Sequence, residues 1–287
     1  MLNKAKIHIE ELSTYLIILA HNKDLVFVFD AVSKIASDIV SRIANRRIPT
    51  LPVMAKTFDL YHKKRMLAFY SRLIKRGDLC FDVGANVGKF TEVLLELGAK
   101  VVCVEPQEAC LQQLHQSFGD NKNVIIVPKA LGECEGEGEL YIPMCEENLG
   151  ISTLSAKYKN APELSEWKWT KRRVSITTLD NLILSYGLPK YCKIDVEGFE
   201  VQVLKGLSKP IRFISFEFHR WCFEEARKCI DLLSQIGNAE FNYMFAESMK
   251  FLLHNWVSPE ELHKKIDVAT YILDDRFYLG DIYARFV

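Results

Sequence analysis

The amino-acid sequence predicts an α/β protein built on a mostly parallel, doubly wound sheet with helices on both faces. Three observations lead to this interpretation. From Leu79 onward, short apolar runs alternate with segments whose apolar residues recur at helical spacing, as in strands joined by crossover helices. The first apolar run leads into a turn from Gly84 to Gly88 and then into a helical pattern. Residues 1 to about 48 differ, since they contain no glycine and have helical spacing, which predicts an N-terminal helical cap.

The individual strands are predicted from apolar and β-branched runs. Lys100–Val104 is almost entirely apolar, which is typical of a strand buried on both faces of a parallel sheet. By the same reasoning, strands are expected at residues 79–83, 100–104, 124–127, 191–195, 211–218, 241–246 and 281–286. Helices are expected at residues 57–75, 88–97, 107–118, 178–186, 199–207, 223–236 and 259–266.

The alternation of strands and helices is interrupted after residue 131. Residues 146–170 are polar and carry Trp167 and Trp169, and long irregular insertions in compact domains are usually functional or mobile. We therefore expect a helical extension at residues 1–60 and an α/β domain at residues 61–287, in which residues 146–170 form a lid. Ordinary packing of the two tryptophans onto the domain is the alternative.

Composition and charge limit the kinds of binding partner and the cellular compartment that we expect for this protein. The chain has 37 basic and 37 acidic residues and a formal net charge of zero, whereas general nucleic-acid binders usually show a basic excess, so no nucleic-acid partner is expected. Its eight cysteines include no C-x-x-C pair, which indicates a reducing compartment. The apolar run Tyr15–Ala20 is shorter than the roughly 20 residues of a spanning helix. We expect a cytoplasmic protein with no membrane span.

A ligand pocket is predicted at the turn after the first strand, in the pattern Asp82-x-Gly84-x-x-x-Gly88. Glycine suits a backbone that takes unusual dihedrals or approaches a ligand closely, and the following helix offers free N–H groups at its N-terminus. This spacing differs from the G-x-G-x-x-G of dinucleotide sites and from that of P-loops. Glu105 ends the second predicted strand, where nucleotide-binding folds hydrogen-bond ribose hydroxyls.

Five further segments make the chain similar to the FkbM family of S-adenosylmethionine (SAM)-dependent methyltransferases. The glycine turn itself resembles the first motif of class I SAM methyltransferases. The segments that carry the family resemblance are Val104–Pro106, Ala130–Gly132, Thr178–Asp180, Lys193–Glu200 and Ile214–His219. They occur in the family's order over roughly residues 70–286.

The resemblance implies a Rossmann-like class I methyltransferase fold, whose seven-stranded, mostly parallel sheet has an antiparallel last strand. Residues 61–287 would be the SAM-dependent methyltransferase domain, with residues 146–170 as its lid or acceptor-binding insertion. The implied reaction is methyl transfer from SAM to a hydroxyl oxygen of a sugar, glycan or natural-product-like small molecule. The implied cofactor-binding residues are Asp82, Gly84, Asn86 and Gly88 at the methionine end, Glu105 at the ribose, Pro106, Gln107, Ala130 and Leu131 near the adenine, and Asp195 at the reactive end.

Candidate catalytic residues follow from the chemistry of the acceptor. A hydroxyl group is a poor nucleophile, so its methylation needs a general base or a bound metal. Asp195, Glu217 and His219 lie at the ends of two neighbouring predicted strands, where a fold of this type has its site, and we assign them as catalytic residues. Glu197 is close in sequence but also suits a helix cap. A divalent metal on Asp195 with Glu217 or His219 is the alternative to direct base catalysis.

Two other functions share the strand and glycine pattern. A nicotinamide-dependent oxidoreductase or epimerase also carries an acidic residue after its second strand, but the third glycine of its motif is missing here. A non-catalytic scaffold subunit of the same fold would use the N-terminal helices for docking. The same helices also suit the formation of a homo-oligomer.

Overall fold

The fold is that of a computed structural model of the protein, which describes residues 51–144, 151–219, 223–245, 248–272 and 279–287. Most of the predicted helical cap (residues 1–50), and with it the predicted surface for oligomers, lies outside the described residues, as do residues 146–150 of the predicted lid. The chain divides into two compact units, Met1–Lys64 and Arg65–Val287. In the first unit, residues 51–64 are helical.

Helices and strands alternate along the second unit. The helices are α1 (Leu51–Tyr70, which begins in the first unit), α2 (Lys89–Glu96), α3 (Glu108–Phe118), α4 (Ala156–Lys159), α5 (Leu179–Tyr186), α6 (Glu200–Lys205), α7 (Phe223–Ile236) and α8 (Pro259–Ile272). The strands are β1 (Leu79–Val83), β2 (Lys100–Val104), β3 (Val124–Val127), β4 (Ala130–Leu131), β5 (Gly136–Pro143), β6 (Trp169–Thr177), β7 (Tyr191–Ile194), β8 (Phe213–His219), β9 (Ala239–Phe245) and β10 (Leu279–Phe286).

Seven of these strands form the central sheet, in the order β3-β2-β1-β7-β8-β10-β9. The pairs from β3 to β8 are all parallel, whereas β10 is antiparallel to both β8 and β9. The predicted fold class, a mostly parallel seven-stranded sheet with an antiparallel last strand, is confirmed. The strand order reverses between β1 and β7, so ligands are expected at the carboxyl ends of these two strands.

The strands near the middle of the sheet are buried on both faces. Phe81 of β1 and Val102 of β2 belong to one hydrophobic cluster, while their neighbours Cys80 and Val101 belong to the cluster on the opposite face. Successive side chains of a strand point to opposite faces, so a strand with both faces covered needs a continuous apolar run. This explains why the run at residues 100–104 predicted the strand correctly.

A second, three-stranded sheet follows β3, in the order β4-β6-β5. β6 begins at Trp169, which pairs with Pro143 of β5, so the last residues of the predicted lid segment belong to a long hairpin-like pair. Residues 151–168 contain α4, and Thr153 forms an isolated antiparallel bridge to Tyr141. The segment is therefore attached to the small sheet at both ends of its described part.

The bounds of α1, the helix before the sheet, differ from those that the sequence predicted. Within the described residues it extends from Leu51, whereas the sequence predicted a start at residue 57. It ends at Tyr70, where the ring packs edge-on against Phe69, and its hydroxyl lies 2.9 Å from that of Tyr283 in β10. None of the helices in the described ranges is both long and apolar enough to cross a membrane.

Candidate active site

A cleft that opens to solvent lies at the carboxyl ends of β1, β2 and β7. This is the edge at which the strand order reverses, as the fold class predicts. The residues that line the cleft are Val83, Gly84, Asn86, Val104, Glu105, Pro106, Gln107, Cys110, Lys129, Ala130, Leu131, Leu140, Ser152, Leu154, Asp195, Val196, Glu197 and Phe199.

The floor of the cleft is the glycine turn after β1. Gly84 has φ of +81°, and a Cβ atom there would lie 1.7 Å from the carbonyl oxygen of Asp195. A Cβ on Gly88 would lie 2.4 Å from the ring of Phe118. The structure thus requires glycine at both positions for contact with neighbouring elements, in addition to any approach of a ligand.

Glu105 forms one wall of the cleft and is 6% exposed. Its Oε2 accepts a hydrogen bond from the backbone N–H of Asn86 (2.9 Å), and its Oε1 accepts one from the N–H of Gln107 (2.8 Å). Burial raises the pKa of Glu105 to about 7, although both N–H groups favour the ionised form. Asn86 has φ of +50°, so the carboxylate holds the end of the glycine turn in place.

Asp82 does not line the cleft. Its side chain is buried and accepts a hydrogen bond from the hydroxyl of Thr91 at 2.6 Å. Burial raises the pKa of Asp82, and the nearby ammonium group of Lys193 opposes this shift. Asp82 therefore supports the turn from beneath, and Gly88 is likewise absent from the lining of the cleft.

Asp195 lies directly after β7 and lines the cleft. Its backbone N–H donates to the carbonyl of Val83 (2.9 Å), which extends the pairing of β7 with β1, and its carboxylate forms an ion pair with Lys193. Burial alone would lower the pKa of Lys193, but Asp195 and two further aspartates raise it well above its ordinary value. The Asp195 side chain is 28% exposed.

Glu197, Glu217 and His219 form a polar cluster beside the cleft, which we call the Glu-Glu-His cluster. His219 Nε2 lies 3.0 Å from Glu217 Oε2 and 3.6 Å from Glu197 Oε2. Burial alone would lower the pKa of His219, but the neighbouring carboxylates of Glu197 and Glu217 outweigh it and raise the pKa to about 10. Burial raises the pKa of Glu217 well above its ordinary range. Glu197 belongs both to this cluster and to the cleft wall.

The segment at residues 151–168 contributes side chains that no motif in the sequence indicated. Thr153 Oγ1 donates to the backbone carbonyl of Glu197 at 2.6 Å, and the Tyr158 hydroxyl donates to Glu197 Oε2. The Tyr158 ring also packs edge-on against His219, with ring centroids 5.0 Å apart. Ser152 Oγ donates to Gln107 Oε1 at 3.2 Å. Sequence reasoning missed these residues because only folding brings them to the strand ends.

The cleft has the features that SAM requires. Each oxygen of Glu105 accepts one backbone N–H and has a further lone pair for a ribose hydroxyl. Pro106 and Leu131 supply apolar wall beside it, which suits a purine ring, and the turn at Gly84 carries no side chain. Asp195 and Glu197 add negative charge to the lining of the cleft, which would favour a sulfonium cation. These residues fit the cofactor that the sequence resemblance implied.

The family model described as the methyltransferase FkbM domain matches residues 82–266, which is well over half of the chain. Comparison with curated proteins found no similar sequence.

Solved structures of low identity also resemble the chain. Precorrin-6y C5,15-methyltransferase from Geobacter metallireducens GS-15 is 12% identical, with 78% of this chain and 87% of that chain covered and a TM-score of 0.41. A TehB-like SAM-dependent methyltransferase from Corynebacterium glutamicum is 10% identical, with coverage of 82% and 99% and a TM-score of 0.41. Aeropyrum pernix fibrillarin with natively bound SAM is 10% identical, with coverage of 74% and 68% and a TM-score of 0.39.

Proposed function

The chain belongs to the FkbM methyltransferase family, and from this premise we propose that it methylates a hydroxyl oxygen of a sugar, glycan or natural-product-like small molecule. SAM is the cofactor. The observation that carries the choice of a hydroxyl is the position of Glu197, which lines the cofactor cleft and also belongs to the Glu-Glu-His cluster. A hydroxyl acceptor needs ionisable groups beside the cofactor, because it must lose its proton as the new bond forms.

Bound SAM supplies a sulfonium methyl group, so that a carbon–oxygen bond forms while a carbon–sulfur bond breaks and its electron pair stays on sulfur. The residues of the chain orient the acceptor and receive its proton. In this proposal Asp195 receives the proton, since it lines the cleft and is 28% exposed, against 15% for Glu217. Glu217 and His219 orient the acceptor from behind, and Lys193 offsets the negative charge.

Binding and product analysis test this function. We expect SAM and S-adenosylhomocysteine to bind the full chain in a calorimetric titration. With methyl-labelled SAM and a panel of hydroxylated acceptors, we expect a product whose labelled carbon is bonded to oxygen by NMR. Failure of both compounds to bind at millimolar concentration would overturn the cofactor assignment. Methylation of nitrogen or carbon only would overturn the choice of acceptor.

The role of Asp195 is tested by Asp195→Asn, which is nearly isosteric. We expect turnover to fall by roughly 10²–10⁴-fold, the usual contribution of one proton-handling group, while SAM affinity stays within a few-fold. Asp120→Asn, in an exposed loop, is the matched control and should change neither value. Turnover of Asp195→Asn within a few-fold of the unmodified protein would refute the assignment.

A further inference from the structure

We propose that the Glu-Glu-His cluster binds one divalent transition-metal ion, with Glu197, Glu217 and His219 as its protein ligands. The set differs from the metal alternative predicted from sequence, because Glu197 takes the place of Asp195, whose carboxylate pairs with Lys193. The role of the ion in catalysis depends on the proposed function, but its binding does not.

The spacing of the three side chains suits a metal ion. One ligand atom from each residue lies within 4.8 Å of the other two, and His219 Nε2 is 3.0 Å from Glu217 Oε2 and 3.6 Å from Glu197 Oε2. Ligand atoms that are each about 2.0–2.2 Å from an ion stand roughly 3.0–3.5 Å apart at adjacent coordination positions. An ion can therefore enter with small side-chain movements.

The backbone holds the three ligands on one side of the sheet. Glu217 and His219 are two positions apart in β8, so their side chains leave the same face of the strand. Glu197 reaches that face from the turn after β7, where its φ is +55°. The side chains are 15%, 7% and 16% exposed for Glu217, His219 and Glu197, so the site is sheltered but reachable from the cleft.

Contacts outside the ligand set orient Glu197, as such contacts commonly do at metal sites. The Tyr158 hydroxyl donates to Glu197 Oε2, and Thr153 Oγ1 donates to the Glu197 carbonyl at 2.6 Å. A Cβ on Gly198 would lie 2.7 Å from the Tyr158 ring, so the turn and the tyrosine pack closely against each other. Tyr158 also contacts His219 and thus supports two of the three ligands.

The ligand types indicate which metals to expect. One imidazole nitrogen with two carboxylates suits Mn²⁺, Fe²⁺, Co²⁺ or Zn²⁺, whereas Mg²⁺ and Ca²⁺ prefer sites made of oxygen alone. Three protein ligands leave positions for water or substrate. Since Glu197 lines the cleft, an acceptor hydroxyl at such a position would lose its proton to Asp195 more readily.

Metal binding is measured directly on the metal-stripped full chain by calorimetry and by the electron paramagnetic resonance of added Mn²⁺. We expect saturable binding of one ion per chain. Glu217→Gln and His219→Asn should each weaken it by about tenfold or more, and Tyr158→Phe, which keeps all three ligands, should weaken it by about tenfold. Circular dichroism is used to check that each variant is folded. If a variant of a metal ligand is unfolded, the effect of Tyr158→Phe on metal binding decides whether the site is correct.

Two matched variants control for loss of charge and of imidazole elsewhere. Glu139→Gln removes an exposed carboxylate that pairs with Lys171, and His263→Asn removes a surface histidine beside Asp231; neither should alter Mn²⁺ binding. The proposal is overturned if Mn²⁺, Co²⁺ and Zn²⁺ show no saturable binding, or if Glu217→Gln, His219→Asn and Tyr158→Phe all bind metal like the unmodified protein. SAM titrations on the same samples separate the two ideas: SAM binding without metal binding refutes only the metal site, and metal binding without SAM binding refutes the proposed function.

Discussion

At the scale of single residues, Glu105 combines burial with two backbone hydrogen bonds. The carboxylate is 6% exposed and connects the glycine turn to the start of α3 through Asn86 and Gln107. The side chain thus contributes to local structure even before any cofactor binds. Its pKa of about 7 also makes it sensitive to pH in the neutral range.

This pKa predicts how stability depends on pH. The folded-state pKa of Glu105 is raised from an ordinary value near 4.5, so the folded protein keeps a proton that the unfolded chain releases between these pH values. The resulting contribution, on the order of 3 kcal/mol, is complete below pH 4.5 and is lost as pH rises through about 7. In urea unfolding without cofactor, the unmodified protein should lose stability between pH 5 and pH 8. In Glu105→Gln this loss should be smaller by roughly the contribution just given.

Glu108→Gln is the control for this measurement, because Glu108 follows Glu105 closely in the sequence but has an exposed side chain. Its pH dependence should match that of the unmodified protein. Glu105→Gln should also weaken SAM binding at pH 8 by about tenfold or more, since a charged hydrogen-bond acceptor for the ribose is lost. Equal pH dependence of stability in Glu105→Gln and the unmodified protein would contradict the raised pKa.

At the scale of elements, the contact between the β1 turn and the end of β7 gives the cleft its shape. A Cβ on Gly84 would lie 1.7 Å from the Asp195 carbonyl oxygen, with φ at +81°. Any larger residue must therefore push the two parallel strands apart. The same movement would shift Asp195, which lines the cleft.

Three glycine variants separate the effects of backbone conformation and of space. Gly84→Ala has both an unfavourable positive φ and no space for the new Cβ, and we expect a loss of about 3 kcal/mol or more in the free energy of unfolding. Gly77→Ala has φ of +88° but open space around the new Cβ, and should cost about 1–2 kcal/mol. Gly136→Ala has neither a positive φ nor a close contact, and its free energy of unfolding should stay within about 0.5 kcal/mol of that of the unmodified protein. Thermal melts that rank Gly84→Ala no lower than Gly77→Ala would show that the contact with β7 is not limiting.

At the scale of the whole molecule, the end of α1 is joined to the last strand of the sheet. The hydroxyls of Tyr70 and Tyr283 lie 2.9 Å apart although the residues are 213 positions apart in sequence. Both side chains are buried, within an aromatic cluster that includes Phe69 and Phe251. The contact closes the second unit by linking its first element to β10.

A double-mutant cycle measures this contact. Tyr70→Phe and Tyr283→Phe should each lower the free energy of unfolding by about 1–2 kcal/mol, because each removes the hydrogen bond between the two buried hydroxyls. The double variant should lose less than the sum, with a coupling of about 1 kcal/mol. Tyr186→Phe, on an exposed ring, is the control and should be neutral. Additive losses would mean that the two hydroxyls do not interact.

The sequence alone determined those features that depend on local patterns. The apolar runs predicted the strands of the central sheet, because burial on both faces requires continuous apolar side chains. The spacing of Gly84 and Glu105 after consecutive strands predicted the cleft, because parallel strands end at one edge of the sheet. The family was identified from motifs that lie next to these strand ends.

Tertiary structure alone decided which groups meet at the acceptor end of the cleft. Tyr158 and Thr153 reach Glu197 across about 40 residues of sequence, and no local pattern encodes that distance. The carboxylate of Asp195, one of the predicted catalytic residues, contacts Lys193, two positions earlier in the chain. Glu197 reaches Glu217 and His219 because the left-handed turn at Glu197 and Gly198 redirects the chain, and the Tyr158 ring packs against that turn.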